Sequence, residues 1–257
     1  MPAGWLFAIF GRMNEPFVNE LSIFFPVHNE VHNLPKLLED TIAILPEICR
    51  DPEIIIVDDG SDDGSGVIAD QYSKKHSFIR VIHHEGNKGY GAALKTGFKS
   101  ATKALIFYTD GDGQFNIREL KLILPLLSQA DVVSAYRVKR KDPWHRLMNT
   151  KIFEFSVFLF FGLKIKDPDC AFKVYRKEVI DRIDMRSNGA MIDVEMLFQA
   201  QQQGYRIVQR GVEHYPRVSG ESSGANLRVI FRAVREMSAL WFRRFGRKPK
   251  KTSSADL

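Results

Sequence analysis

The 257-residue sequence predicts an α/β protein built on a mainly parallel sheet with helices on both faces, and three observations predict it. Short runs rich in β-branched and aromatic residues recur through the first half, stretches of helical length separate them, and the polar motifs fall where those runs end.

The first run, residues 21–27, passes into Pro26-Val27-His28-Asn29-Glu30, where a helical pattern begins. The second, 53–57, ends in Asp58-Asp59-Gly60-Ser61, with a helix from near Asp63. The third, 78–83, leads to Gly86-Asn87-Lys88-Gly89-Tyr90-Gly91, a glycine-rich helix entry, and the fourth, 104–109, runs into Asp110-Gly111-Asp112-Gly113-Gln114 before a helix near Ile117. A fifth run covers 131–136. The second half is less regular: a helix over 143–163 that is apolar nearly all round from 153 to 161, a strand at 171–175, a helix over 191–203 stopped by Gly204, and a strand at 206–214.

Two cysteines far apart, Cys49 and Cys170, argue against a disulfide framework or a zinc site and suit a reducing cytosol. The formal charge is +6, and residues 226–251 hold nine Lys and Arg against one acid, Glu236, so the basicity belongs to a tail and the body is nearly neutral. No stretch reaches the roughly 18 apolar residues of a membrane-crossing helix, and no leader pattern stands out near Trp5. A peripheral protein on the cytoplasmic side of a membrane is therefore expected, with the last residues, 248–257, disordered.

Carboxylates at a strand end in a glycine turn can accept from a ribose hydroxyl or a base N–H, so Glu30, Asp58 and Asp59 suggest a nucleoside nearby, although either patch alone also fits a helix cap. Lys88 in its glycine turn offers charge to a phosphate. The sharpest motif is Asp110-Gly111-Asp112, whose two carboxylates can converge on one hard cation, Mg²⁺ or Mn²⁺, that bridges a diphosphate and neutralises the charge growing on it as it leaves.

In this order and on these elements, the four blocks resemble glycosyltransferase family 2, and in particular its dolichol-phosphate mannosyltransferase-like, or polyprenyl-phosphate glycosyltransferase, branch, over about residues 21–226. The resemblance implies a GT-A fold, a nucleotide-sugar donor with UDP or GDP, a divalent metal on Asp110, Asp112 and Gln114, and inversion at the anomeric carbon. It also implies that Pro26, His28, Glu30, Asp58 and Asp59 line the nucleoside pocket and that Arg137, Lys173 and Arg217 hold donor and acceptor phosphates. Ala171 and Ser223 depart from the family pattern, standing where glycine and lysine are usual, which weakens one phosphate clamp.

A polyprenyl phosphate acceptor is already anionic and needs no base, so Arg137 and Lys173 would hold its phosphate while the metal at Asp112 stabilises the leaving diphosphate; a hydroxyl acceptor, as in polysaccharide synthesis, would need one, with Asp193 or Glu195 as candidates and Glu195 preferred by likeness. Since i and i+2 do not share a helix face, only one of the two is expected to point inward. The domain spans 18–225, with 143–163 as a membrane-interface helix inside it and 226–257 as a basic amphipathic helix and tail facing an anionic membrane surface. A membrane-protein partner or a second copy of the chain remains open; nucleic acid is not expected, because no recognition module accompanies the tail. A non-catalytic nucleotide-sugar binding protein is a further reading, disfavoured by the presence of both Asp110 and Asp112.

Overall fold

The computed structural model describes residues 16–138, 144–189, 191–216 and 235–242. Seven strands form one sheet: β1 (Val18–Val27), β2 (Cys49–Asp58), β3 (Ile79–His83), β4 (Leu105–Thr109), β5 (Val132–Val138), β6 (Phe172–Arg176) and β7 (Ile207–Glu213). Their spatial order is β3-β2-β1-β4-β6-β5-β7. All neighbours pair in parallel except β6, which lies antiparallel between β4 and β5.

The helices between strands are α1 (Leu34–Ile48), α2 (Ser65–Lys75), α3 (Tyr90–Ser100) and a short α4 (Leu120–Ile123) flanked by 3-10 turns. The second half adds α5 (Trp144–Phe161), α6 (Lys177–Arg182) and α7 (Met191–Gln202). The central strands read as continuous apolar runs because both faces are covered: residues 21–27 and 54–57 are all buried. α3 lies close on β1, where the ring of Phe24 meets Phe98 edge-on at 4.8 Å and stacks on Tyr108 of β4 at 5.4 Å. Gly97 makes that approach possible, since a Cβ there would come within 2.3 Å of the Phe24 ring.

The order places β2 and β3 on one side of β1 and β4 on the other, so the connection reverses between β1 and β4. That is where open α/β sheets leave a crevice at the strands' carboxyl ends. The register aligns those ends: Val27 faces Asp58, Asp58 faces His83, and Phe24 faces Tyr108.

The expected interface helix is α5, and its face is divided. Val157 and Phe161 are buried, whereas Ile152, Phe155 and Leu159 are 57%, 63% and 65% exposed. Of the expected C-terminal amphipathic helix, only 235–242 is described. There Met237 and Trp241 pack against the core, and Leu240 is buried. That stretch is docked on the body, with Phe242 turned outward. No helix among the described residues is long and apolar enough to cross a membrane.

Candidate active site

The Asp110–Gln114 turn leaves β4 at the reversal point and passes over the end of β1. Gly111 donates its N–H to the Pro26 carbonyl at 3.3 Å, and a Cβ on Gly111 would press on Val27 at 3.0 Å. Gly113 takes φ +69°, which glycine adopts without strain, and the Gln114 N–H closes the turn onto Asp112 Oδ1 at 3.1 Å. The far side is fastened to the end of β7: Gln114 exchanges backbone and side-chain bonds with Tyr215, and Phe115 bridges to His214. The Gln114 carboxamide is thus engaged with Tyr215, so its expected place as a metal ligand depends on its remaining oxygen.

Asp110 differs. Its Oδ1 is buried with no hydrogen-bond partner among the described residues. Burial, reinforced by the negative charges of Asp112 and Asp193, pushes its carboxyl well above the usual range, against a hydrogen bond from Tyr90. A carboxylate with a buried orphan oxygen and a like-charged neighbour is a site short of positive charge, and the residues present fit a hard cation. Among the described residues no group of three or more His, Cys, Asp or Glu is placed to hold a metal by itself.

The nucleoside-side motifs come together at the ends of β1, β2 and β3, but most of their carboxylates are occupied. Both oxygens of Asp59 bind the glycine-rich turn, accepting from Lys88 N at 2.9 Å and Gly89 N at 2.8 Å, and Oδ1 also meets His84 Nδ1 at 2.6 Å. Gly60 is required there: at φ +70°, a Cβ would lie 2.4 Å from the Gly86 carbonyl carbon. Asp58 accepts from Ser61 N at 3.0 Å and contacts His83 Nδ1 at 2.7 Å. Burial alone would raise its carboxyl, but the bonds from Ser61 and His83 outweigh that and hold it below the ordinary value. Glu30 is buried and accepts from Asn33 at 2.7 Å, while His28 is exposed and meets Asn87 at 2.9 Å. Pro26 is buried and Lys88 exposed. Sequence reasoning did not single out His83 and His84; two histidines closing a strand beside two aspartates was the available signal.

Three expected phosphate or catalytic residues are placed differently from the expectation. Lys173 is 0% exposed, and its ammonium donates to Cys170 O at 2.5 Å, Asp193 Oδ1 at 2.7 Å and the Tyr108 hydroxyl at 3.1 Å. It is a buried counter-ion and presents no free donor to an acceptor phosphate. Glu195, 1% exposed, accepts the amides of Arg186 and Ser187. Asp193 is equally buried, so both carboxylates point inward, contrary to expectation, because α7 is enclosed along the whole of 191–198.

Arg137 sits at the end of β5 with its fork on Asp167 and its Nη2 3.1 Å from Asp169. Asp167, held by that pair, lies well below the carboxylate range despite burial; Asp169 is pushed up to about 6, first by burial and then by the charge of Asp167. Arg217 lies outside the described residues, as do Ser223 and most of the basic tail.

The model of the family described as "Glycosyl transferase family 2" matches residues 22–184. The chain is 29% identical over 221 residues to an undecaprenyl-phosphate 4-deoxy-4-formamido-L-arabinose transferase of Aeromonas hydrophila, covering 85% of this chain and 67% of that one. The counterpart from Proteus mirabilis is 28% identical with 65% of its length covered, so the chain spans about two thirds of these relatives. It is also 29% identical over 230 residues to a polyprenol monophosphomannose synthase of Mycolicibacterium smegmatis, covering 83% and 85%. Among solved structures, glucosyl-3-phosphoglycerate synthase from Mycobacterium tuberculosis with Mn²⁺, uridine diphosphate and glucosyl-3-phosphoglycerate superposes with a TM-score of 0.68 at 15% identity, over 97% of this chain and 87% of that one. Mannosyl-3-phosphoglycerate synthase from Rubrobacter xylanophilus gives 0.65 at 16%, over 93% and 79%. At such identity the likeness is one of fold, and it bears out the GT-A expectation.

Proposed function

Because the chain belongs to glycosyl transferase family 2, we propose that it moves a glycosyl group from a nucleoside diphosphate sugar to a polyprenyl phosphate at the cytoplasmic face of a membrane. The observation that carries this reading is the buried, unpartnered oxygen of Asp110 beside Asp112, at the reversal point of the sheet. The relatives named above support the acceptor class, since their names specify undecaprenyl phosphate and polyprenol.

Asp110 and Asp112 would hold Mg²⁺ or Mn²⁺, with Gln114 able to add only its amide oxygen. Such a cation supplies Lewis-acid neutralisation of the departing diphosphate. The chain's own groups align the reactants. Asp59 fixes the glycine-rich turn so that the exposed Lys88 faces the diphosphate. Arg137, preset by Asp167, presents its remaining donors to the acceptor phosphate. An acceptor that is already anionic suits a site in which Asp193 and Glu195 are both buried and engaged as acceptors.

The hydroxyl-acceptor reading has one observation in its favour. The Asp169 carboxyl beside Arg137 is 39% exposed, so a hydroxyl that needs a general base could reach it.

The membrane side of the proposal rests on α5. Glu154 accepts Asp167 N at 2.9 Å and Lys151 Nζ at 2.7 Å, so the helix is fastened to the loop that sets Arg137. Its exposed Ile152, Phe155 and Leu159, of which Phe155 shares a surface hollow with the exposed Lys164 and Lys166, would enter the interface of an anionic bilayer close to the reaction centre. The test is a panel of UDP- and GDP-sugars with Mg²⁺ or Mn²⁺ and a short polyprenyl phosphate, scored for lipid-linked sugar. Transfer confined to hydroxyl acceptors would overturn the lipid-phosphate reading; no nucleotide release from any donor would overturn the enzyme.

A further inference from the structure

Residues 186–189 lie against the first turn of α3 and are held from two sides. From α7, the buried Glu195 carboxylate accepts Arg186 N at 2.9 Å and Ser187 N at 2.7 Å. From α3, the Lys95 ammonium donates to Arg186 O at 3.0 Å and Asn188 Oδ1 at 2.7 Å. The contact between the two segments is close: Gly91 N donates to Asn188 O at 3.3 Å, and a Cβ on Gly91 would stand 2.6 Å from the Asn188 carbonyl carbon. The same turn of α3 carries Tyr90, which hydrogen-bonds Asp110, and follows the Lys88 and Gly89 amides that Asp59 holds.

We propose that Glu195 and Lys95 are positioning residues for the nucleotide-sugar donor, holding 186–189 as the wall that faces the glycine-rich turn. This rests on the donor reading above. Without the two anchors, the segment would have to be ordered at the moment of binding, and that cost falls on donor affinity rather than on the chemical step.

The full-length chain is compared with Lys95→Met, Glu195→Gln and Glu195→Ala, with donor and acceptor varied separately. Binding of UDP or GDP with Mn²⁺ is measured by calorimetry in parallel. Lys95→Met is expected to raise the donor KM and the nucleotide Kd about tenfold while kcat and the acceptor KM stay within about twofold. Glu195→Gln, which keeps an oxygen for the two amides, is expected to lose less donor affinity than Glu195→Ala. A merely structural defect reduces the number of active molecules, lowering kcat and leaving KM alone. An unchanged donor KM and Kd in Lys95→Met therefore overturns the positioning role while an active wild type leaves the transferase reading standing. A wild type that binds neither nucleotide overturns both.

Discussion

Lys173→Met tests the charge balance beneath the site. The Lys173 ammonium is fully buried and makes three bonds, to Asp193, Cys170 O and Tyr108, and Tyr108 also donates to Asp193. Removing the cation leaves the Asp193 carboxylate in the core without its counter-charge, and breaking such a pair from one side costs about 3–5 kcal/mol. For a chain of this size each kcal/mol lowers Tm by roughly 2–4 °C, so a fall on the order of 10 °C is expected. The double variant Lys173→Met with Asp193→Leu removes both charges and leaves chiefly the Tyr108 hydroxyl without its partners, a loss of about 1–3 kcal/mol. The double variant should therefore be more stable than Lys173→Met alone. Urea unfolding followed by fluorescence and circular dichroism measures all four corners of the cycle. If the two single losses simply add, or if Lys173→Met costs under about 1 kcal/mol, the ion pair is not what holds this region.

Asp112→Ala should abolish transfer, by at least about a hundredfold, and weaken Mn²⁺ retention while Tm stays near wild type; unchanged turnover of purified variant would reject the metal assignment. The Asp58–His83 pair should stabilise most between the ordinary values of its members, 3.8 and 6.5. Asp58 is depressed, so its contribution disappears as pH falls through its folded value; His83 is raised, chiefly by its bond to Asp58, so its contribution disappears as pH rises through its own. Because His83 is 44% exposed, the gap between wild type and His83→Gln should reach only about 0.5 kcal/mol, seen in unfolding curves from pH 4 to 9. Replacing Ile152, Phe155 and Leu159 together by Ser should weaken sedimentation with anionic vesicles severalfold and leave Tm within a few degrees, since all three are mostly exposed. Equal sedimentation would remove α5 from the membrane contact, and the same assay on a chain lacking 226–257 reads the tail.

The parallel half of the fold was legible because its strands alternate with helices and end in polar motifs. The runs at 21–27, 53–57, 78–83, 104–109 and 131–136 all lie on observed strands to within a few residues. The antiparallel placement of β6 was not legible, since no local pattern in Phe172–Arg176 reports which neighbours it joins. Side-chain surroundings were legible where a turn dictates them, as at Asp110-Gly111-Asp112, which the structure shows as a tight turn at the end of β4. They were not legible where burial decides. Lys173 was expected to hold a phosphate by family likeness, yet its register opposite Tyr108 and Ser134 puts it inside the sheet's cover. Asp193 and Glu195 were judged on a helix with one dry face, whereas α7 is dry on every side over that stretch. Asp59 could be read as a ligand contact from its position, but only the folded chain shows its oxygens spent on Lys88 and Gly89.

The late position of β6 in the chain has a consequence for biogenesis. β4 and β5 are not neighbours, and the strand that joins them ends only at Arg176, so a nascent chain that has emerged as far as Val138 carries two strands with facing edges unpaired. Such edges invite pairing with other chains, and synthesis at about 5–20 residues per second leaves them open for seconds. Slow translation between residues 138 and 176 should thus lower the yield of soluble protein.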